Sequence, residues 1–154
     1  MTTANEHRFP VSVHWLSGRL TEATIDGKDD LLVATPPEFE GGIEGVWSPE
    51  DLLVSATASC FVVTLLAFAE RRGVPLRALD VHGTGRVAKR DDGRFGFVAI
   101  ELEADVATDA GCEAQAERAI ELAERHCLVS GALAVPVQLS ARVRVMPALA
   151  GTLA

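Results

Sequence analysis

Residues 48–73 of the chain are SPEDLLVSATASCFVVTLLAFAERRG, and they carry the start and stop signals of one long helix. Ser48 is a preferred N-cap residue, and Pro49 suits the first helical position. Two acidic residues follow in the first turn, where they complement the helix dipole. Gly73 is the kind of residue that ends a helix. The stretch therefore predicts a helix from Ser48 to about Arg72.

The interior of this predicted helix has no charged residue from Leu52 to Ala69, a run of about 18 residues and the lower limit for a membrane span. Four serine and threonine side chains interrupt the run, and acidic residues stand at its entrance. We therefore expect a central helix that is apolar on all sides because protein covers all of it, and we expect no membrane partner.

Alternation of apolar and polar residues predicts strands on both sides of the helix. A second helix is predicted from about Asp109 to His126, because apolar residues recur there at steps of three and four. The resulting order ββ(β)–α–ββ–α–β favours an α+β fold, with antiparallel sheets wrapped around a long buried central helix. The predicted strands are Phe9–Trp15, Leu20–Ile25, Leu31–Ala34, Leu79–Arg90, Phe95–Val106 and Val135–Val145.

Composition limits the organisation and the partners of the chain. Its 154 residues suit one domain, expected over residues 1–146, with small residues forming a flexible tail at 147–154. The net charge of −8 disfavours nucleic-acid binding, since such a surface repels phosphates. The first ten residues contain no apolar core of a secretory signal, and three cysteines make an odd, sparse set. We therefore expect a cytoplasmic protein with free thiols.

The spacing of the three cysteines limits which of them can form a disulfide with each other. Cys112 and Cys127 lie 15 residues apart on the predicted second helix, or roughly 22 Å, which is too far for a disulfide. Cys60 has two open alternatives: it can meet Cys127, or it can meet Cys112 if the start of the second helix docks there. A thiol buried at Cys60 is expected to have a raised pKa and to be inert unless a cation from elsewhere lowers it.

Three short motifs together resemble the OsmC/Ohr family of osmotically induced and organic hydroperoxide resistance proteins. They are Ser-Pro-Glu-Asp-Leu-Leu at 48–53, Ala-Ser-Cys-Phe at 58–61 and Cys-Leu-Val-Ser at 127–130. The resemblance follows the element order from about Pro10 to Val145. It implies an OsmC-like intertwined homodimer that acts as a cysteine-based peroxidase on organic hydroperoxides.

The resemblance also implies residue roles. Cys60 matches the peroxidatic cysteine of the family and Cys127 its resolving cysteine, while Glu50 matches the acid of its Asn-Pro-Glu-Gln motif. The activating arginine of the Ohr-like branch follows a glycine in the first hairpin turn, which is the place of Arg19. In the OsmC-like branch it lies in the loop before the helix, and Pro37 to Gly41 has no arginine here. Leu128 replaces the proline that many members have.

The same resemblance implies a reaction partner and a pocket. Arg19, oriented by Glu50, would hold the Cys60 thiolate and a peroxide oxygen. A lipoyl-type dithiol would reduce a Cys60–Cys127 disulfide, and no cofactor or metal is expected. Apolar side chains would favour a bulky alkyl hydroperoxide over hydrogen peroxide. The candidate substrate-binding residues are Trp47, Phe61 and Phe39.

Two alternatives from other functional classes fit the same pattern. A hot-dog-type thioesterase or acyl-binding protein also wraps antiparallel sheet around one apolar helix, and its cysteines would be passive. A non-catalytic ligand-binding module of OsmC-like shape is the second alternative. The behaviour of the thiols towards a hydroperoxide distinguishes the peroxidase from both alternatives.

Overall fold

A computed structural model describes residues 6–147 of the chain, so most of the predicted tail at 147–154 lies outside the described residues. Contacts within the chain group it into two compact units, one ending at Leu52 and the other beginning at Leu53. The expectation of a single domain over residues 1–146 stays a prediction.

The N-terminal unit contains one three-stranded antiparallel sheet. Its strands are β1 (Ser12–Ser17), β2 (Leu20–Thr24) and β3 (Leu31–Ala34), in the order β1-β2-β3. The prediction that the first strand starts at Phe9 and is half-buried is wrong: β1 begins at Ser12 and every residue in it is exposed. The alternation of apolar and polar residues correctly located the strand. Its apolar side chains stay exposed because no described part of this unit packs against them.

The long helix α1 (Pro49–Arg71) begins and ends as its sequence predicts. The Ser48 hydroxyl accepts a hydrogen bond from the Asp51 backbone N–H at 3.0 Å, and the Asp51 carboxylate accepts one from the Ser48 N–H at 2.9 Å. This reciprocal pair is a capping box. At the other end Gly73 has a φ of 65°, and the N–H groups of Gly73 and Val74 donate to carbonyls of the last turn. Both ends therefore satisfy their exposed backbone groups locally.

Protein does not cover α1 on all sides, contrary to the expectation from its composition. Within the described residues, its buried positions form one stripe at steps of four, namely Thr57, Phe61, Leu65 and Ala69. Val63 and Leu66 on the other sides are 60% and 46% exposed. By length and composition alone the helix is apolar enough to cross a membrane. Among the described residues of the C-terminal unit, part of the apolar surface of α1 is therefore uncovered.

The C-terminal unit places a mixed sheet beside helices. After α1 the chain forms β4 (Leu76–Lys89), β5 (Phe95–Thr108), α2 (Glu113–His126), α3 (Leu128–Ala132) and β6 (Val137–Val145). β4 and β5 form the predicted antiparallel hairpin. β6 pairs with β5 in parallel, so the expectation of purely antiparallel sheets is corrected. The two helices between β5 and β6 form the crossover connection that a parallel pair needs.

The core of this unit lies on one face of β5. Four of its side chains at alternate positions, Ile100, Leu102, Ala104 and Val106, are buried against α1 and α2. β4 meets α1 at Gly83 and Gly85, where a Cβ atom would lie 2.9 Å and 2.6 Å from methyl groups of Val54. Any larger residue at these two glycines would push the helix from the sheet, so they set how closely α1 can approach.

The second helix begins later than its periodicity predicts. The Asp109 carboxylate accepts two hydrogen bonds from the Arg77 guanidinium, at 2.6 and 2.7 Å. Gly111 then turns the chain with a φ of 83° before α2 starts at Glu113. Cys112 consequently precedes the helix instead of contributing to its apolar face. A tertiary ion pair and a glycine turn outweigh the local helical pattern here.

Candidate active site

The structure brings Cys60 and Cys127 together. Cys60 lies about three turns into α1 and is partly buried, while Cys127 links α2 to α3 and is 4% exposed. The Cys127 side chain is hydrogen-bonded to Cys60, and both thiols are free. Of the two contacts that the spacing left open for Cys60, the one with Cys127 is therefore the one observed. Cys112 is a free, half-buried thiol before α2.

Hydrogen bonds determine the ionisation of Cys60. Burial is the largest single influence and raises the pKa of its thiol, but four hydrogen bonds together outweigh it and hold the pKa below its ordinary value. In order of size, the bonds come from the Val129 backbone, the Cys127 side chain, the Leu128 backbone and the Thr64 side chain. None of these groups carries a positive charge. Among the described residues these hydrogen bonds lower the pKa without a cation, and the expectation that Cys60 needs a cation to become a nucleophile stays a prediction.

The short helix α3 explains why backbone groups reach Cys60. Cys127 is extended, with φ −66° and ψ 114°, so the chain leaves α2 there and starts a new helix at Leu128. The first N–H groups of any helix have no partner inside it. Those of Leu128 and Val129 bond to Cys60 instead. Their role was missed because no helix was predicted after Cys127.

Two hydroxyl groups complete the surroundings of the cysteine pair. Thr64 lies one turn after Cys60 on α1, so the i, i+4 spacing of the sequence was a usable signal for its hydrogen bond. The Ser130 hydroxyl donates to the Cys127 sulfur at 3.3 Å. One hydroxyl from α1 and one from α3 therefore lie at the cysteine pair.

A cavity of about 200 Å³ adjoins Cys127. Buried or half-buried apolar side chains form part of its wall, and charged and small residues of α2 and α3 form the rest. Its lining residues are Phe61, Leu102, Glu124, Arg125, Cys127, Ser130, Gly131, Val137 and Leu139. Phe61 is thus both a core residue and part of a cavity wall.

Arg19 belongs to the N-terminal unit and lies at the β1–β2 turn. Gly18 before it has a φ of 51°, and the Arg19 side chain is exposed. A Cβ atom at Gly41 would lie 2.9 Å from Arg19 Nε, so the arginine side chain packs on the backbone of the loop before α1. The two branches of the family place their arginine in the turn and in the loop, respectively. In this unit those two segments are adjacent.

Glu50 lies on the first turn of α1, and one of its carboxylate oxygens is buried. Asp51, not Glu50, forms the capping box with Ser48. The Oε2 atom of Glu50 is buried and has no hydrogen-bond partner among residues 6–147. Over the same residues, no ion pair links Glu50 to Arg19. A buried, unpaired carboxylate oxygen is costly and would gain from a guanidinium donor.

The remaining predicted site residues have different surroundings. Phe39 is half-buried in the loop before α1. Trp47 is 49% exposed, and its carbonyl accepts a hydrogen bond from the Ala34 N–H at 2.8 Å. In the described part of the chain, no group of three or more His, Cys, Asp or Glu residues is placed to hold a metal ion.

The Thr64 hydrogen bond predicts a measurable change in Cys60 reactivity. Thr64→Val keeps the shape of the side chain but removes the donor, so the pKa of Cys60 should rise. Because the thiolate is the nucleophile, we expect alkylation of Cys60 at neutral pH to slow by about threefold to tenfold. The wild-type rate should also persist to lower pH than that of the variant. Iodoacetamide labelling followed by peptide mass mapping measures both effects.

Thr57→Val is the matched control. Thr57 is on the same helix, and its hydroxyl donates to the Leu53 carbonyl at 2.8 Å instead of to a cysteine. We expect this variant to alkylate Cys60 at the wild-type rate. Equal rates in all three proteins would show that the Thr64 hydroxyl does not stabilise the thiolate.

Comparison with known proteins identifies the family and the fold. The family model described as OsmC-like protein matches residues 42–141, about two thirds of the chain. An uncharacterized protein of Bacillus subtilis (strain 168), YmaD, is 28% identical over 148 residues, covering 90% of this chain and 96% of its own.

Two solved structures share the fold. An OsmC-like protein of unknown function from Vibrio cholerae has a TM-score of 0.80 at 18% identity, over 89% of this chain and 100% of its own. An organic hydroperoxide resistance protein from Elizabethkingia anophelis has a TM-score of 0.73 at 20% identity. The match covers 95% of this chain and 100% of that protein. These likenesses confirm the α+β fold and the resemblance inferred from the three motifs. The chain therefore belongs to the OsmC-like protein family.

Proposed function

We propose that this protein is a thiol-dependent peroxidase that reduces organic hydroperoxides to alcohols. The observation that carries the proposal is a Cys60 thiol whose pKa is lowered although burial acts against it, in direct contact with Cys127. Lowered pKa values at a partly buried thiol are typical of reactive cysteines, and the contact supplies a second thiol. The relative from Elizabethkingia anophelis, named for organic hydroperoxide resistance, supports the same activity.

The proposed reaction has two steps at the cysteine pair. The Cys60 thiolate attacks the distal oxygen of the hydroperoxide; the O–O bond breaks, and the alkoxide takes a proton and leaves as the alcohol. Cys60 is then a sulfenic acid. Cys127 then loses its proton and attacks the Cys60 sulfur; hydroxide leaves, takes a proton and becomes water. The product is a Cys60–Cys127 disulfide that an external dithiol reduces.

Arg19 and Glu50 take the roles that the family pattern implies. In this proposal the guanidinium of Arg19 polarises the peroxide and holds the reacting oxygen, while the Glu50 carboxylate orients the guanidinium by a bidentate pair. The buried Oε2 atom of Glu50 supports this role because it lacks a donor among the described residues. Because hydrogen bonds already lower the pKa of Cys60, we assign Arg19 chiefly to the substrate.

The proposal includes a substrate class and a reductant. Trp47, Phe39 and Phe61 are proposed to contact the alkyl part of the hydroperoxide, which favours bulky substrates over hydrogen peroxide. A lipoyl-type dithiol is the proposed reductant, and no cofactor takes part. Free thiols at all three cysteines are consistent with the reducing cytoplasm, which is the proposed location.

We also propose that the protein acts as an intertwined homodimer. Three exposed, large apolar side chains support it, and we propose that a second copy of the chain covers them. They are Val63 and Leu66 of α1 and Trp15 of β1.

Sedimentation equilibrium should give twice the 16.3 kDa of one chain. The double substitution Val63→Glu with Leu66→Glu should shift the protein towards the monomer, because it places charge in an apolar interface. A wild-type protein that sediments as a monomer would contradict this proposal.

Stoichiometric oxidation tests the peroxidase activity. One equivalent of cumene hydroperoxide should remove two thiols per reduced chain, and Cys60→Ser should abolish that loss. In Cys127→Ser, Cys60 should still oxidise once and then become a sulfinic acid in excess peroxide, because no second thiol captures the sulfenic acid. Thiol titration and intact mass measure each product. Cys112→Ser is the matched control and should behave as the wild type.

The same experiment separates the peroxidase from the other functional classes. Unchanged thiols would contradict the peroxidase and leave the thioesterase, the acyl-binding protein or the ligand-binding module. Normal multiple turnover of Cys127→Ser with dithiol would contradict the resolving role of Cys127. Comparable rates with hydrogen peroxide and cumene hydroperoxide would contradict the proposed substrate preference.

Substitutions at Arg19 test its proposed role. Arg19→Ala should slow oxidation by cumene hydroperoxide by about a hundredfold, equivalent to roughly 2.7 kcal/mol, because a donor to the reacting oxygen is lost. Arg19→Lys should restore only part of the rate, since an ammonium lacks the planar fork. Stopped-flow oxidation kinetics measure the effect. Arg8→Ala, which removes an exposed arginine paired with Glu6 at 2.9 Å, is the control and should leave the rate unchanged.

A further inference from the structure

The loop between β3 and α1, residues 35–47, is held in shape by its own backbone hydrogen bonds. A Cβ atom at Gly42 would lie 2.1 Å from the Pro36 carbonyl oxygen, so the loop closes tightly at that point. The backbone of this loop is therefore a fixed surface on which a side chain can pack. Its N–H groups donate to its own carbonyls at three places, each at 3.0 Å: Phe39 to Pro36, Gly42 to Phe39, and Ile43 to Thr35.

The Arg19 side chain packs on this surface at Gly41. A Cβ atom at Gly41 would lie 2.9 Å from the Arg19 Nε atom and 3.0 Å from its Cδ atom. Gly41 also has a φ of 79°, which glycine adopts without strain. A residue with a Cβ atom does not fit here while Arg19 stays in place. The absence of a side chain at Gly41 therefore makes room for the arginine.

This contact is what restrains Arg19 within the N-terminal unit. The Arg19 side chain is exposed, and among residues 6–147 it forms no ion pair. A long exposed side chain has many rotamers, and fixing it in one of them costs conformational entropy. Packing of the aliphatic stem on the loop excludes some of those rotamers in advance. The guanidinium is thereby preorganised for a ligand.

We propose that Gly41 is a positioning residue, which lets the stem of Arg19 lie on the loop and thereby directs the guanidinium to the hydroperoxide. The inference rests on the proposed function, because that function assigns Arg19 to the reacting oxygen. Gly41 acts through Arg19 and has no group of its own that would take part in the reaction.

The same loop carries Phe39 and Trp47, two of the residues proposed to contact the alkyl part of the hydroperoxide. The N–H and the carbonyl of Phe39 both take part in the hydrogen bonds of the loop, and the Trp47 carbonyl accepts one from the Ala34 N–H at 2.8 Å. One short segment would thus place the guanidinium for the polar end of the substrate and the apolar side chains for its other end.

Gly41→Ala tests the positioning role by oxidation kinetics. The added methyl group would meet the Arg19 stem, which is flexible and exposed and therefore moves before the loop backbone does. We expect oxidation by cumene hydroperoxide to slow by about tenfold, because a misplaced guanidinium holds the reacting oxygen poorly. Gly41→Asn should give a loss of the same size, since asparagine tolerates the left-handed region better than alanine. Stopped-flow oxidation of Cys60 measures the rates.

Gly45→Ala is the matched control. Gly45 lies in the same loop with a φ of 74°, and a Cβ atom there would meet nothing within 4 Å. The substitution adds comparable backbone strain without touching Arg19, so the rate should stay within about twofold of wild type. An equal loss in Gly41→Ala and Gly45→Ala would contradict the proposal, because backbone strain alone would explain it.

A double substitution tests whether Gly41 acts through Arg19. Gly41→Ala should have no further effect in an Arg19→Ala background, since the group that it positions is absent. A further loss of about tenfold in that background would overturn the proposal, because the two sites would then act independently.

Chemical modification of Arg19 gives a measurement that needs no peroxide. Phenylglyoxal should modify Arg19 about threefold faster in Gly41→Ala than in wild type or Gly45→Ala, because the side chain loses the contact that restrains it. Arg8 is exposed and serves as the internal reference in the same peptide mass map. Equal modification of Arg19 in all three proteins would overturn the proposal. Failure of the peroxidase proposal is distinguishable, since it would appear as unchanged thiols with hydroperoxide while the modification rates still decide whether Gly41 positions Arg19.

Discussion

The arrangement around Cys60 depends on one balance: burial of the thiol raises its pKa, and hydrogen bonds to the thiol lower it. Burial raises the pKa of Cys60, and the protein reverses that effect with backbone and side-chain hydrogen bonds instead of with a charge from the same unit. Two of the donors, the backbone groups of Leu128 and Val129, are far from Cys60 in sequence. Their N–H groups are available only because Cys127 ends one helix and the next begins immediately after it.

The fold holds these donors at Cys60 through a shared core. Residues of α1 and α2 pack together against one face of β5 in a single core. The residues that follow the C-terminal end of α2 therefore lie beside Cys60 on α1. The parallel pairing of β6 with β5 requires the chain to return through α2 and α3 on that face. Gly83 and Gly85 permit the close approach of α1 to β4. The contact between Cys60 and Cys127 is therefore a product of packing in the C-terminal unit.

Much of the fold was predictable from local signals. Capping residues Ser48 and Gly73 predicted α1 to within one residue at its C-terminal end, and alternation predicted the hairpin of β4 and β5. The errors have identifiable causes. The start of α2 moved because Arg77 pairs with Asp109, and the direction of β6 was missed because strand alternation is the same in parallel and antiparallel sheets.

Caps, periodicity and short motifs are local properties of a chain, so they were enough to predict the family resemblance, most helices and strands, and the candidates Cys60, Cys127, Arg19 and Glu50. The contact of Cys60 with Cys127, the backbone hydrogen bonds that lower the pKa of Cys60, and the cavity beside Cys127 are visible in the folded chain alone. The physical reason is that desolvation, hydrogen bonding and access depend on which distant segments pack together, and local patterns do not encode those distances.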